Sequence, residues 1–416
     1  MKKSYRLLFL CIFLFLPLLL TSCLSNFLEF RDRLFPEDNI IEMPDPSDDP
    51  ADNPIHTSKP SELENVKKTT SIKIKAVGDL LMHMPLVNAS LKSDGTYDFT
   101  PIFNDIKPYL QDGDLVLANL ETTISDPQHG YGGYPRFRTP EELLPALKES
   151  GFNIITTANN HTLDGKEFGV GHTLDKLDEY GLLHTGSARS QEERDSVLLV
   201  EKNEITSAVL AYTYGTNGME VTIPGDKLPY MVNYIDRDLI RQDVERAKEA
   251  GADLIIVCIH WGDEYVRTPN PFQEETAEYL LSLGVDIIFG SHPHVLQPME
   301  RRKVVLEDGT EKEVFIIYSL GNFVSNQRDP YRDSGVIVNV EVIKDHAGST
   351  ISLGEITYTP TWVYKYSSSG GVGFRILPVG EYLEEAGGLN SEDWRRIRDV
   401  WTETTTHLGD SFKPIP

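Results

Sequence analysis

Five short segments of the sequence combine side chains that can hold a divalent metal ion, namely carboxylates, carboxamides and imidazoles. In chain order they are Gly78-Asp79, Asn119-Leu120-Glu121, Asn159-Asn160-His161, His260-Trp261-Gly262 and Ser291-His292-Pro293-His294. Their oxygen and imidazole donors, without any thiolate, suit Mn, Fe, Zn or Mg rather than a structural cysteine-type zinc site. Two ions that share a carboxylate would stabilise the charge that develops in a phosphoryl-transfer transition state. The sequence therefore predicts a site for one or two divalent metal ions.

Each segment also has a simpler interpretation when it is taken alone. Asp79 is placed as in a turn or a helix cap, and Glu121 could cap a helix that begins at Thr122. Residues 159–161 could form a loop of left-handed conformers, and a single strand-end histidine such as His260 is often structural. The positions of the segments relative to one another decide between these interpretations and a metal site.

The polar segments follow apolar runs that are typical of β-strands. Nine β-branched runs alternate with helical stretches, which predicts βαβ units in an α/β fold. Of the first six runs, all but the fourth, at residues 205–214, end in one of the polar segments. Because ligands of α/β sheets bind at the carboxyl ends of strands, the five segments are expected to converge on one crevice. His292 and His294 are accordingly predicted to be ligands, with Pro293 stiffening the turn between them.

Helical stretches between the runs are predicted at residues 139–150, 168–181, 236–251 and 271–284. The last three end at glycine, as a left-handed helix cap requires.

Four further residues are predicted to serve the site without holding a metal ion. Arg136 and Arg138, in PRFRTP, are candidate anion clamps, because a guanidinium pairs bidentately with a carboxylate or phosphate; a surface salt bridge is the alternative. Trp261 could form a wall of the substrate pocket or could simply pack. Asp164 is expected to orient His161.

The first 22 residues have the composition of a bacterial export signal. Three basic residues precede an apolar run at residues 7–20, which is shorter than the roughly 20 residues of a membrane-spanning helix. Residues 20–23, LTSC, resemble a lipobox, in which the cysteine is lipidated and becomes the N-terminus after cleavage. We therefore expect Cys23 to anchor an extracytoplasmic protein to the bacterial cell membrane. An ordinary secretory signal with an incidental cysteine is the alternative.

Residues 23–69 are expected to form a tether between the anchor and a folded domain. Within them, residues 34–66 are rich in Pro, Asp, Glu and Ser and have little apolar surface to bury. An acidic binding tail is the alternative.

The net charge of −25 argues against a nucleic-acid partner, and an anionic substrate would need a local positive site such as a metal ion.

Taken together, the motifs resemble the bacterial poly-γ-glutamate capsule synthesis family, the CapA-type proteins of the calcineurin-like metallophosphoesterase superfamily. The motifs that carry the resemblance, within residues 76–324, include AVGDLLMH, DLVLANLETTIS, NIITTANNHTLDG, IHWGDEY, GSHPHVLQP and YSLGNFV. The resemblance implies a four-layer αββα sandwich, expected over residues 70–380, followed by a C-terminal extension at residues 381–416. It also implies a role in making, exporting or anchoring a γ-linked glutamate polymer, with membrane components of the synthase as partners.

The resemblance also implies a role for each candidate residue. The residues that match metal ligands of the superfamily are Asp79, Asn160, His260, His292, His294 and Glu121, the last in place of a bridging aspartate. His161 matches the catalytic histidine. The first motif reads GDLLMH rather than Asp-x-His, so His83 is not counted among the ligands. Asn322, in YSLGNFV, could line the site or stabilise a turn.

Three kinds of function remain open at this point, because polyglutamate itself has no phosphate. The protein could be an accessory component of a polymer synthase and exporter. It could be a metal-dependent hydrolase of a cell-surface phosphoester or amide, or a non-catalytic binder of an anionic polymer. The full ligand set favours some use of the metal, because polar side chains without partners are costly to keep at a crevice.

Overall fold

The computed structural model of the chain describes residues 69–368, 370–384 and 388–415. The export signal at residues 1–22, Cys23 and the tether up to residue 68 lie outside these described residues. The first described strand begins at Thr69, next to the predicted domain start at residue 70. Among the described residues, no helix is both long enough and apolar enough to cross a bilayer.

The described residues form seventeen strands. In chain order they are β1 (Thr69–Leu80), β2 (Leu115–Leu120), β3 (Thr123–Ser125), β4 (Arg138–Pro140), β5 (Ile154–Thr156), β6 (Leu183–Thr185), β7 (Leu198–Lys202), β8 (Ile205–Thr213), β9 (Leu254–His260), β10 (Ile287–Ser291), β11 (Met299–Val305), β12 (Glu311–Ile317), β13 (Asn322–Val324), β14 (Ser334–Asp345), β15 (Thr350–Ser368), β16 (Gly371–Pro378) and β17 (Lys413–Pro414).

Ten α-helices and two 3₁₀ turns, at Met219–Thr222 and Val379–Tyr382, complete the described elements. The helices are α1 (Met84–Ala89), α2 (Thr100–Phe103), α3 (Lys107–Leu110), α4 (Leu143–Ser150), α5 (Lys166–Glu179), α6 (Gln191–Asp195), α7 (Leu228–Met231), α8 (Arg237–Glu249), α9 (Pro271–Ser282) and α10 (Ser391–Leu408). Gly181, Gly251 and Gly284, which follow α5, α8 and α9, have φ angles of 64°, 83° and 94°. The predicted left-handed glycine caps are therefore confirmed.

Two large sheets carry the polar segments. The first has the order β16-β15-β14-β1-β2-β5-β6, with β13 beside β1 and β17 beside β15, and the second has the order β11-β12-β10-β9-β8-β7. Strands β1, β2, β5 and β6 are parallel to their neighbours in this series, and so are β8, β9, β10 and β12. Within each sheet, the carboxyl ends of the strands that precede the polar segments therefore lie at one edge.

Three apolar cores define the layers. Alternate residues of β2 point to opposite faces of the first sheet, as the strand period requires. Leu115 and Leu117 enter the core between the two sheets, whereas Val116 and Ala118 face the helices that cover the first sheet. The outer face of the second sheet packs against α8 and α9 in a third core. The layer order is thus helix, sheet, sheet, helix, which confirms the predicted four-layer αββα sandwich.

The C-terminal residues pack onto the first sheet. Ile397 and Val400 of α10 contact a cluster that contains Trp362 of β15 and Leu377 of β16, and β17 pairs with β15. The extension predicted from residue 381 therefore belongs to the same compact unit as the two sheets.

Candidate metal centre

Glu121 lies at the centre of the predicted site, directly after β2. Its side chain is completely buried, and neither carboxylate oxygen has a hydrogen-bond partner among the described residues. Residues that follow it form strand β3, so the alternative that Glu121 caps a helix beginning at Thr122 is wrong. A buried carboxylate without partners is costly unless it is protonated or bound to a cation.

Two groups of potential metal ligands share Glu121. One group adds His260 and His292, and the other adds Asp79 and His294; within each group the ligand atoms all lie within 4.8 Å of one another. Oε1 of Glu121 is 3.7 Å from Nε2 of His260 and 3.7 Å from Nε2 of His294. Glu121 thus stands between two sets of donors, where a carboxylate shared by two ions would be needed.

The ligands come from the carboxyl ends of strands in both sheets. Asp79 lies inside β1, at a shift in its register with β2, and not in a turn or helix cap. His260 is the last residue of β9, and His292 and His294 follow β10, which ends at Ser291. The convergence expected from the strand ends is present in the structure.

The turn that carries the two histidines has an unusual backbone. His292 and His294 have φ angles of 97° and 58°, in the left-handed region. Such conformations of residues other than glycine cost about 1–3 kcal/mol each and occur mainly at functional sites. Nδ1 of His292 is buried without a hydrogen-bond partner among the described residues, whereas Nδ1 of His294 is 3.0 Å from Oδ2 of Asp79. The fold therefore holds both imidazoles against the other ligands in spite of the strain.

Carboxamides orient the ligands. Asn119 donates a hydrogen bond to Oδ1 of Asp79 at 2.8 Å, and Oδ1 of Asn160, itself a predicted metal ligand, is 2.9 Å from Nε2 of His260. Oδ1 of Asn322 is 3.1 Å from Nδ1 of His294, so Asn322 lines the site. Partners of this kind fix the orientation of ligating imidazoles and carboxylates.

Burial controls protonation in the metal-free cluster. Burial, together with the charge of Asp79, raises the pKa of Glu121 well above its usual value. Burial and the neighbouring His294 lower the pKa of His292 to about 3, and burial and His292 lower the pKa of His260. Neutral imidazoles are the form that binds metal, and a cation would offset the cost of ionising Glu121. The residues present therefore fit a divalent metal ion.

His161 lies next to Asn160 and pairs with Asp164. Nδ1 of His161 is 2.7 Å from Oδ2 of Asp164, which also accepts a hydrogen bond from the backbone N–H of Phe137 at 2.6 Å. The ring of Phe137 contacts His161 edge-on, with centroids 4.7 Å apart. The expected contact between Asp164 and His161 is thus present, and it fixes the imidazole plane.

Arg136 and Arg138 line a cavity together with Asp164. Arg136 is exposed, and half-buried Arg138 donates from Nη1 to the carbonyl oxygen of His129 at 2.7 Å. Neither arginine forms a salt bridge with another residue in the described part of the chain. The surface salt bridge that was the alternative for these arginines is therefore not observed.

Trp261 does not form a wall of the pocket, and this prediction is wrong. Its side chain is completely buried, and Nε1 donates to the carbonyl oxygen of Tyr318 at 2.9 Å. Val257 and Ile259 of β9 point into the core between the second sheet and its helices, and Trp261 continues that alternation. His260 has the opposite parity and points into the site.

Glu264 is a potential ligand that sequence reasoning missed. It forms a third group of ligand atoms with His292 and His294, and it is exposed. It reaches them from a loop in which Gly262 and Tyr265 have φ angles of 88° and 68°. In the sequence it is one of two adjacent acidic residues, which is typical of a solvated loop, so no local pattern distinguishes it.

Two further rings, those of Tyr214 and His83, lie near the ligand cluster. Tyr214 follows β8, the strand without a polar segment, yet its ring centroid is 4.6 Å from that of His292, and burial raises the pKa of Tyr214 to about 12. His83 lies outside the three ligand groups found among the described residues, and burial lowers its pKa to about 4. Nδ1 of His83 instead contacts the carbonyl oxygen of Leu81 at 3.2 Å.

Comparison with known protein families gives a match over most of the described domain. The family model described as bacterial capsule synthesis protein PGA_cap matches residues 73–327. The chain is 30% identical over 271 residues to a capsule biosynthesis protein CapA from Bacillus anthracis, which covers 64% of this chain and 61% of that protein. It is 29% identical over 297 residues to a PGA biosynthesis protein CapA from Bacillus subtilis, covering 68% and 72% of the two chains. The chain thus spans less than two thirds of the Bacillus anthracis relative.

Solved structures that resemble the chain are more distant. A calcineurin-like phosphoesterase from Bacillus subtilis has a TM-score of 0.42 and 14% identity, and the likeness covers 81% of this chain and 98% of that one. A phosphatase from Mycoplasma pneumoniae has a TM-score of 0.40 and 17% identity, over 70% and 94% of the two chains. The order of layers, helix-sheet-sheet-helix, follows from the sheets and apolar cores of this chain.

Proposed function

Because the chain belongs to the bacterial capsule synthesis protein family PGA_cap, we propose that it is a metal-dependent hydrolase. It acts outside the cytoplasmic membrane in making, exporting or anchoring poly-γ-glutamate. The observation that carries the hydrolase assignment is the position of Glu121, whose two buried and unpartnered carboxylate oxygens are shared by two ligand groups. A chain that bound a polyanion without any metal would have no need to bury this carboxylate.

The residues that would hold one or two divalent ions are Asp79, Glu121, Asn160, His260, His292 and His294. Bound there, the metal would activate a water molecule and offset the negative charge that develops on a phosphoester or amide during hydrolysis. His161 would donate a proton to the leaving group. Asp164 would accept a hydrogen bond from Nδ1–H and, as a carboxylate, would stabilise the doubly protonated ring whose Nε2–H is the proton donated. The substrate is a phosphoester or an amide of an anionic cell-surface polymer.

The test of the hydrolase proposal is metal analysis of the purified full-length chain followed by a substrate panel. We expect bound Mn, Fe or Zn, and we expect hydrolysis of a nitrophenyl phosphoester or of γ-linked glutamate oligomers that stops after chelation and returns with added metal. Bound metal with no turnover of any substrate, in a protein that cells still need for polymer production, would favour the non-catalytic binding function instead.

Membrane attachment through a lipid on Cys23 is part of the proposal and rests on the sequence of the export signal. The membrane components of the polymer synthase are the expected partners. Cys23→Ala should release the protein from membranes or leave the signal uncleaved, as measured by fractionation and by the mass of the mature chain. Cys11→Ala, inside the apolar run, is the matched control and should behave as the parent does. Unchanged processing and attachment of Cys23→Ala would rule out the lipid anchor.

A further inference from the structure

A cavity of about 540 Å³ opens beside the His161–Asp164 pair. Arg136, Arg138, Lys166 and Asp164 contribute to its walls. Asp164 belongs to the same loop as Asn160, which contacts the ligand His260. The cavity is therefore connected to His161 through Asp164, and none of the proposed metal ligands lines it.

Three cations, Arg136, Arg138 and Lys166, line the cavity. None of Arg136, Arg138 and Lys166 forms an ion pair with any residue in the described ranges. Nε of Arg138 is also buried without a hydrogen-bond partner there. The chain as a whole has a net charge of −25, so three cations around one cavity are a local departure from its acidic composition. Three unpaired cations around one cavity indicate an anionic ligand.

Two carboxylates, those of Asp164 and Glu167, also line the cavity. Glu167 forms an ion pair with Lys227, and Oδ2 of Asp164 is taken by His161 and by the backbone N–H of Phe137. Oδ1 of Asp164 has no hydrogen-bond partner among the described residues, so Asp164 offsets one of the three cationic charges and the lining keeps a net positive charge.

The N-terminal end of α5 adds to this positive potential. Helix α5 has 14 residues, and its N-cap is Gly165, which has no side chain to cap the first backbone N–H groups. Gly165, Lys166 and Glu167 all line the cavity. The partial positive charge of a helix N-terminus favours anions.

We propose that this cavity binds an oxyanion of the substrate, a carboxylate or a phosphate, next to Asp164, which contacts Nδ1 of His161. The bound anion would hold a polymeric substrate so that the bond to be cleaved lies between His161 and the metal ligands. This placement of the reacting bond rests on the proposed hydrolase function, whereas anion binding by the cavity does not.

Calorimetric titration of the full-length chain, as purified and after metal removal, tests the proposal. The probes are a γ-linked glutamate tetramer and inorganic phosphate, which separate a polymer carboxylate from a phosphate group. We expect at least one probe to bind after metal removal, more weakly at high salt. Each lost charge-assisted contact should weaken binding roughly tenfold. The double variant Arg136→Gln, Lys166→Gln should therefore bind that probe roughly a hundredfold more weakly.

Arg241→Gln is the matched control, because Arg241 is an exposed arginine of α8 that pairs with Asp238. It should bind the probe as the parent does. Equal affinity of parent and double variant, or no binding of either probe, would overturn the cavity assignment. A chain that binds a probe in this way but holds no metal would instead contradict the proposed hydrolase and leave the anion site standing.

Discussion

Glu121→Gln is expected to weaken the binding of divalent metal by about a hundredfold or more. Loss of a group that merely supports a ligand typically costs 10–100-fold, and Glu121 is itself a potential ligand shared by two groups. Gln keeps the size of the side chain, so packing around the site should change little. Metal content after dialysis against a weak chelator, followed by calorimetric titration with Mn²⁺ or Zn²⁺, measures the effect.

In the absence of metal, Glu121→Gln should stabilise the folded chain. Burial raises the pKa of Glu121, so the folded metal-free chain binds a proton more tightly than the unfolded chain does. The stability of the metal-free parent should therefore fall as pH rises above the unfolded pKa of about 4.3. The Gln side chain cannot ionise, so the metal-free Glu121→Gln variant should melt at a higher temperature than the metal-free parent at pH 8. The difference between the two melting temperatures should narrow towards pH 4.5.

The control for both measurements is Glu245→Gln, on the exposed face of α8. It should leave metal affinity and melting temperature within error of the parent values. Equal metal content in the parent and in Glu121→Gln would refute the metal centre. A metal-free Glu121→Gln that is less stable than the metal-free parent at pH 8 would show that the carboxylate has a structural partner instead.

His161→Ala is expected to retain metal and to lose hydrolytic rate by roughly 10²–10⁴-fold, which is the usual contribution of a general acid. His161 contacts Asp164 through Nδ1 and is not a member of the three ligand groups among the described residues. The loss should be larger for an ester with a poorly stabilised leaving group than for a nitrophenyl ester, because nitrophenolate departs without a proton. Steady-state rates on both esters and metal analysis of the same samples measure the two effects.

A structural role of His161 predicts a different pattern. Damage to packing against Phe137 would slow both esters equally and would lower the melting temperature. Asp164→Asn should show the same dependence on leaving group with a smaller loss, because it disturbs the orientation of the imidazole without removing it. His184→Ala, at the edge strand β6, should match the parent in both rate and metal content. A rate loss that does not depend on the leaving group would contradict the proposed acid.

Much of the ligand cluster could be predicted from the sequence, because strand alternation and strand ends are local properties. Polar residues at the ends of β-branched runs indicated Asp79, Glu121, His260, His292 and His294 without knowledge of the packing. The same alternation, applied strictly along β9, would also have placed Trp261 in the core. Glycine caps after three helices were equally local and equally predictable.

The sequence by itself thus determined the α/β elements, the family and the residue types of the site. Only the tertiary structure decided which ligands share Glu121, since Asp79 and His294 are separated by 215 residues and meet because the two sheets pack face to face. Only the fold shows that Glu264 reaches the histidines, because its loop geometry depends on left-handed residues rather than on composition. That Arg136 and Arg138 form no ion pair with any described residue is likewise a property of the tertiary structure, because ion pairing depends on distance in space and not on position along the chain.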